Sequence, residues 1–205
     1  MIPPFETAPL LLAVTAVLAY VLGSVPFGMV MAQTFGLGDV RAIGSGNIGA
    51  TNVLRTGHKT AAALTLILDG AKGAAAVAIA RAVLAEDAAH LAALAAFLGH
   101  CFSIFLRLQG GKGVATFLGI LLALYWPVGM AGCLTWLIVA AITRYSSLSA
   151  LIAAALSPIF AMWFGWTEGM VLTLTLVILI FFRHRANLYR LITSHEPKFG
   201  SKGAS

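Results

Sequence analysis

Charge is scarce in this chain. Of its 205 residues only 10% are Asp, Glu, Lys or Arg and 60% are hydrophobic, whereas soluble domains carry roughly 25% charge. A water-facing globular surface is therefore excluded for most of the molecule. Cysteine is nearly absent: Cys101 and Cys133 stand alone in or beside apolar runs with no CxxC spacing, which removes a disulfide framework and a cysteine-bearing zinc site. There is no HExxH, and His58, His100 and His184 have no carboxylate cluster around them, so no metal is expected. A GxSxG elbow is missing too, which argues against a serine hydrolase. The two-residue alternation of an outer-membrane barrel does not occur either.

What the chain has is apolar length. Runs over 8–35, 60–84, 88–108, 114–142, 148–164 and 169–182 include several beyond the ~20 residues that cross a bilayer. The fold class they predict is all-α, a polytopic integral membrane protein. The first six residues carry no basic n-region and no cleavage pattern, so the first run is expected to remain as a span. Pro26 removes a backbone donor inside that run and predicts a kink or break. Gly28, two residues on, offers a place where another helix or the following loop can come close.

Residues 114–142 read either as one helix kinked at Pro127 or as two short ones turning near 125–129. Charge decides between them. With two helices and an outside N-terminus, Arg41, Arg55, Lys59, Arg107, Lys112, Arg144, Arg183, Arg185, Arg190, Lys198 and Lys202 all fall inside, and Glu6, Glu86, Asp87 and Glu168 fall outside. One helix would move Arg144 and the basic tail outside. Seven transmembrane helices are therefore expected, with the N-terminus outside and the C-terminus cytoplasmic, in one membrane-embedded domain over 1–205. The short pair would have to thin the bilayer or be shielded by longer neighbours. The net charge of +6 is a topology signal on this reading, and no nucleic-acid partner is expected.

The polar centre is Gly44-Ser45-Gly46-Asn47-Ile48-Gly49-Ala50-Thr51-Asn52-Val53-Leu54-Arg55. Its three glycines permit left-handed backbone and close approach, and successive N–H groups in such a turn can converge on an anion. Ser45, Asn47, Thr51, Asn52 and Arg55 add side-chain donors. The duller reading is a linker of turn formers. Asp69 and Lys72, deep in the second run, share a helix face and can pair; ionised groups there face a cavity or a partner, and the duller reading of Lys72 is a structural counter-ion for Asp69. Gly110-Gly111-Lys112-Gly113 reads as a phosphate cradle, or as a basic turn. It lacks the GxxxxGK[ST] spacing of nucleotide hydrolases. His100 reads as a candidate or as a packed, hydrogen-bonded histidine, and Arg183 and Arg185 as ligands or as anchors at a helix end. The parity argument gathers 45–55, Asp69, Lys72, 110–113, 146–149 and 183–187 at the cytoplasmic face. Arg55, Lys72, Lys112, Arg144 and Arg183 outnumber the carboxylates there, which suits a phosphorylated ligand. A bordering lipid phase suits an acyl chain. A carrier of phosphorylated metabolites or a non-catalytic lipid-binding subunit would share some of these features. The carrier would also need polar positions reaching the other face, and few exist.

The 44–55 stretch is similar to the first signature of the bacterial acyl-phosphate:glycerol-3-phosphate acyltransferases, the PlsY family. Gly99-His100-Cys101-Phe102 through Gly110-Gly111-Lys112-Gly113-Val114-Ala115-Thr116 resembles the second. Ser146 to Ala150, and Arg183-His184-Arg185-Ala186-Asn187 followed by Arg190-Leu191, resemble the remaining ones. The likeness covers 23–198. Ser103 stands where members commonly carry proline, Leu108-Gln109 where an aromatic–lysine pair is usual, and Ser194 where glycine is common.

The resemblance implies a seven-helix enzyme of the bacterial inner membrane, its site facing the cytoplasm. It would move an acyl group from long-chain acyl phosphate to the 1-hydroxyl of glycerol 3-phosphate, beside membrane phospholipid and without a cofactor; a monomer is compatible with this. Ser45, Arg55, Lys112, His184 and Asn187 are the expected catalytic set. Gly46, Asn47, Thr51, Asn52, Asp69, Lys72, Gly110, Gly111, Gly113, Ser147, Ser149 and Arg183 are the expected binding set, with Ser147 and Ser149 as alternatives for one place in the pocket. Acyl phosphate is a mixed anhydride with a good leaving group, so no acyl-enzyme is needed. Orientation and neutralisation of two anions are what the protein must supply. The hydroxyl proton is expected to pass to the acyl-phosphate oxygens, with His184 and Asp69 as the protein alternatives.

Overall fold

The computed structural model describes residues 1–198; Lys202 lies outside the described residues. The chain is helical, with no strand among the described residues, and forms two compact units. One is Pro4–Leu124; the other runs from Tyr125 and includes Met1–Pro3.

The Pro4–Leu124 unit begins with α1, Pro9–Ser24, and α2, Phe27–Thr34. The break between them falls at Val25 and Pro26, where the missing proline N–H predicts it. The loop that follows contains a 3-10 turn at Val40–Ala42 and the short α3, Ala50–Leu54, before α4, Lys59–Val83. Then come α5, Glu86–Cys101, a 3-10 turn at Ile104–Leu106, and α6, Val114–Leu124. Helix α1 packs on α5, and α4 on both α5 and α6. Small residues make these contacts. A methyl group added at Gly23 would overlap the Ala96 backbone, one at Gly99 the Tyr20 carbonyl, and one at Gly119 the Gly70 backbone. At Gly28 it would overlap the Ile48 carbonyl of the loop, so the expected close approach is made there.

Burial runs opposite to that of a water-soluble bundle. Ala88, Ala89, Ala92, Ala93 and Ala96 are fully buried on α5, while Leu10, Val14, Val17, Leu18 and Val21 stand exposed along α1. Large apolar side chains facing outward, with backbones drawn together through Ala and Gly, are what helix association in lipid produces. At 11 residues α6 is short. Its last carbonyls, on Ala123 and Leu124, accept from the Arg81 guanidinium at 2.5 and 3.0 Å, which satisfies groups that a helix end otherwise leaves open.

The second unit holds α7, Trp126–Thr143, α8, Ser146–Trp163, a 3-10 turn at Thr167–Gly169, α9, Met170–Arg183, and α10, Arg185–Ile192. Residues 114–142 are thus two helices. Pro127 sits in the first turn of α7, where its absent N–H costs nothing, and α7 is longer than the short pair anticipated. Helix α8 packs between α7 and α9. Among the described residues five segments are long and apolar enough to cross a membrane, Pro9–Thr34 as one of them; the bent pair Thr167–Arg183 and Arg185–Ile192, at 64°, makes a sixth when taken as one span, and Val114–Leu124 falls short. The tail turns back after α10. His195 and Glu196 donate their N–H groups to the Arg190 carbonyl at 2.7 and 3.1 Å. Ser194, at φ 60, makes that reversal in a conformation favouring glycine, which accounts for glycine being common there.

Candidate active site

In the Pro4–Leu124 unit the 44–55 stretch is organised by Asn52. This side chain is buried. Its amide nitrogen donates to the Val40 carbonyl at 2.6 Å and the Ile43 carbonyl at 3.2 Å. Its oxygen accepts from the Ser45 N–H at 3.1 Å, the Ser45 hydroxyl at 3.4 Å and the Arg55 guanidinium at 3.4 Å. Asn52 therefore clamps the loop and holds Ser45 and Arg55, both exposed, against one another. Gly44 and Gly46 have φ of 55 and 68. A side chain at Gly44 would strike Asn52 and Arg55. Gly49 differs from the expected left-handed set: it is the extended N-cap of α3, with φ of −78. The Ser45 and Gly46 amides are committed to Asn52 and to the Ile43 carbonyl, so anion-directed donors here come from side chains more than from backbone. Asn47 and Thr51 are half-buried beside them. Outside the spans, Asp39 is gripped by Arg41 through two side-chain nitrogens and one backbone N–H; the side-chain bond holds this carboxyl down at about 2.

Asp69 and Lys72 are 2.7 Å apart, with side chains 3% and 2% exposed. The Lys72 ammonium also donates to the Val25 carbonyl at 2.7 Å, at the break between α1 and α2. His100 Nδ1 lies 3.6 Å from the same Asp69 oxygen. Asp69 and Lys72 thus face partners within the protein, the structural option among the two read from sequence. Above His100 lies the glycine loop. Gly111 donates its N–H to the His100 carbonyl at 3.0 Å and Gly110 to the Cys101 carbonyl at 3.2 Å. A methyl at Gly110 would overlap that His100 carbonyl, and one at Gly111 the imidazole. Gly113, at φ 83, rests on the Phe97 ring. The cradle therefore keeps two of its amides on α5, and Lys112, half-buried between Gly111 and Gly113, is its charged member. Ser103 keeps φ at −63, a value proline would share, and its hydroxyl donates to the Ser24 carbonyl at 2.5 Å. Leu108 in place of an aromatic is not explained by the packing.

In the second unit Ser147, Asn187 and Arg190 converge on Glu196. The Ser147 hydroxyl donates at 2.6 Å, the Asn187 amide at 2.7 Å and the Arg190 Nε at 2.8 Å. Burial pushes the Glu196 carboxyl up, but these hydrogen bonds and the Arg190 charge outweigh it and hold the group below its usual range. Ser149 is buried and donates to the Tyr145 carbonyl at 2.8 Å, the back-bond of a helix serine. His184 is buried with Nδ1 2.9 Å from the Ile180 carbonyl. A carbonyl only accepts, so neutral His184 carries its proton on Nδ1 and its lone pair on Nε2. Arg183 is half-buried at the end of α9. Arg185 is exposed, donates to the Phe182 carbonyl and lies over the Phe182 ring, as an anchor does. Glu196 had not been singled out from sequence, although a carboxylate in an otherwise basic tail was a signal. Among the described residues no three His, Cys, Asp or Glu gather to hold a metal.

Outward-facing apolar side chains, small-residue helix contacts and a fully buried ion pair define a polytopic α-helical membrane protein. Residues 13–194 match the family model described as glycerol-3-phosphate acyltransferase. Relatives of that description include one from Jannaschia sp. (strain CCS1), 63% identical over 200 residues and covering 98% of both chains, and one from Dinoroseobacter shibae, 58% identical with the same coverage. The fold is similar to the crystal structure of PlsY (YgiH), an integral membrane glycerol 3-phosphate acyltransferase, in its glycerol 3-phosphate form. The TM-score is 0.86, with 35% identity, over 93% of this chain and 96% of that one. The chain belongs to the glycerol-3-phosphate acyltransferase family, PlsY type, and is an integral membrane acyltransferase.

Proposed function

We propose that this protein transfers a long-chain acyl group from acyl phosphate to the 1-hydroxyl of glycerol 3-phosphate, giving lysophosphatidic acid and inorganic phosphate. The observation carrying this reading is the likeness to PlsY, which has been crystallised in a glycerol 3-phosphate form and a lysophosphatidic acid form, that is, with an acyl acceptor and with its acylated product. In the step, the 1-hydroxyl oxygen forms a bond to the acyl carbonyl carbon, and the bond from that carbon to the phosphate oxygen breaks. The hydroxyl proton passes to the departing phosphate. Asp69 is a poor rival acceptor because it is buried and engaged by Lys72, and His184 is the remaining protein alternative. Arg55, Ser45 and Lys112 neutralise phosphate oxygens, which is preorganised electrostatics rather than covalent catalysis. Asn52, Asp69, Lys72, Gly110, Gly111 and Gly113 hold those donors in place. His184 and Asn187 hold glycerol 3-phosphate, with Ser147 the serine nearer that role and Arg183 beside it. The chain works as one domain with seven membrane segments, N-terminus outside, in the bacterial inner membrane, and takes both reactants from the cytoplasmic side without a cofactor.

Purified protein given acyl phosphate and glycerol 3-phosphate tests this. Phosphate release matched by lysophosphatidic acid is expected. A folded sample that binds both reactants without joining them, or that moves glycerol 3-phosphate across vesicles unconverted, refutes it.

A further inference from the structure

Asn187 is 4% exposed, and its two amide atoms have different fates. The nitrogen donates to the Glu196 carboxylate at 2.7 Å, whereas the oxygen, also buried, has no partner among the described residues. The orientation is dictated by chemistry. An ionised carboxylate only accepts, so the amide must present nitrogen to Glu196 and turn its oxygen away. Glu196 is itself fixed, with a side chain 6% exposed and further donors from Ser147 and Arg190 at 2.6 and 2.8 Å. Folded proteins rarely leave a buried acceptor unmatched, and each such case calls for a reason.

We propose that the Asn187 oxygen accepts a hydrogen bond from the C2 hydroxyl of glycerol 3-phosphate, and that Glu196 is the positioning residue that fixes it for this purpose. The inference rests on the function proposed above and adds to it how the acceptor substrate is distinguished. Ionised acyl phosphate offers no hydroxyl donor, so of the two reactants only the glycerol hydroxyls can satisfy this oxygen. The 1-hydroxyl gives up its proton in the reaction, and an amide oxygen is far too weak a base to take it. The C2 hydroxyl keeps its proton throughout and suits a neutral acceptor. A site built to bond a substrate hydroxyl rejects an analogue lacking it, because its own buried group is then left unmatched.

The test compares glycerol 3-phosphate with 3-hydroxypropyl phosphate, which has the reacting hydroxyl and the phosphate but no C2 hydroxyl. The unmodified enzyme should prefer glycerol 3-phosphate by about 10- to 100-fold in kcat/KM. In Glu196→Gln the new side chain can meet Asn187 with either an N–H or an oxygen, so the amide is no longer held one way round. The preference should shrink to about threefold or less, through a loss on glycerol 3-phosphate, with the rate on the analogue nearly unchanged. A purely structural role for Glu196 would lower both substrates alike, and that result overturns the proposal. So does an unmodified enzyme that uses both substrates within about twofold, a measurement that needs no variant should Glu196→Gln fail to fold. An unmodified enzyme inactive on glycerol 3-phosphate itself would instead refute the acyltransferase reading.

Discussion

Removing either member of the Asp69–Lys72 pair should destabilise the protein far more than removing both. The side chains are 3% and 2% exposed and 2.7 Å apart, so each is the other's main compensation for lost water. Breaking such a pair from one side leaves an uncompensated buried charge, at about 3–5 kcal/mol, whereas replacing both members can be nearly neutral. The two single losses are not equal. Lys72→Met leaves Asp69 with His100 at 3.6 Å. Asp69→Leu leaves the ammonium with the Val25 carbonyl at 2.7 Å and the Phe27 ring at 5.6 Å, neither a full charge, and should be the worse of the two. At ~2–4 °C per kcal/mol for a chain of this size, the midpoint in detergent should fall by roughly 6–20 °C in each single variant. The double variant should lie no lower than the milder single one. Intrinsic-fluorescence melts of the four proteins supply the cycle. Strictly additive losses would mean the two groups do not depend on one another, and single losses under about 1 kcal/mol would mean water reaches them. Either result refutes the buried-pair account.

Three further outcomes are expected. Ser194→Gly removes the cost of a left-handed serine at φ 60, and should raise stability by about 0.5–1 kcal/mol after the added freedom of the unfolded chain, read as a higher melting midpoint. Gly113→Ala meets both a φ of 83 and the Phe97 ring; a loss of at least ~2 kcal/mol is expected, with a fall in kcat/KM as Lys112 shifts. Glu196 is held below its ordinary value of 4.5, so its contribution is complete above that pH and fades as pH drops through the lower folded value. The midpoint gap between the unmodified protein and Glu196→Gln should therefore be widest near neutrality and close under acid conditions below 4.5.

How much of this was legible in the sequence follows from the range of each interaction. The helix break at Pro26, the start of α7 at Trp126 and the Asp69–Lys72 pair all depend on near neighbours: a missing N–H, a proline that fits a first turn, a spacing of three. The two helices across 114–142 were read differently, from the distribution of charges along the whole chain. The glycine cradle was visible as composition, but the direction of its amides was not. Gly110 and Gly111 turn their N–H groups onto the end of α5, a partner ten or so positions away that no periodicity announces. Glu196 was missed for a stronger form of the same reason, since its bond to Ser147 spans 49 positions.

A common principle joins Asn52, His100 and Glu196, the residues whose roles were hardest to read. Each is held within its own compact unit and engages other protein groups. In lipid, a donor with no water to meet turns onto any acceptor it can reach, so an Arg, Ser or Asn meant for a substrate needs something to hold its remaining atoms. Asn52 takes Ser45 and Arg55 on one oxygen, His100 seats the loop bearing Lys112, and Glu196 takes one end of Asn187 and leaves the other. Preorganisation of this kind matters most where catalysis is orientation rather than covalent chemistry, because a displacement of about 1 Å can cost ~100-fold in rate. Substitutions at these three holding residues should therefore depress kcat more than they raise KM, a pattern that a simple loss of binding charge at Arg55 or Lys112 would not produce.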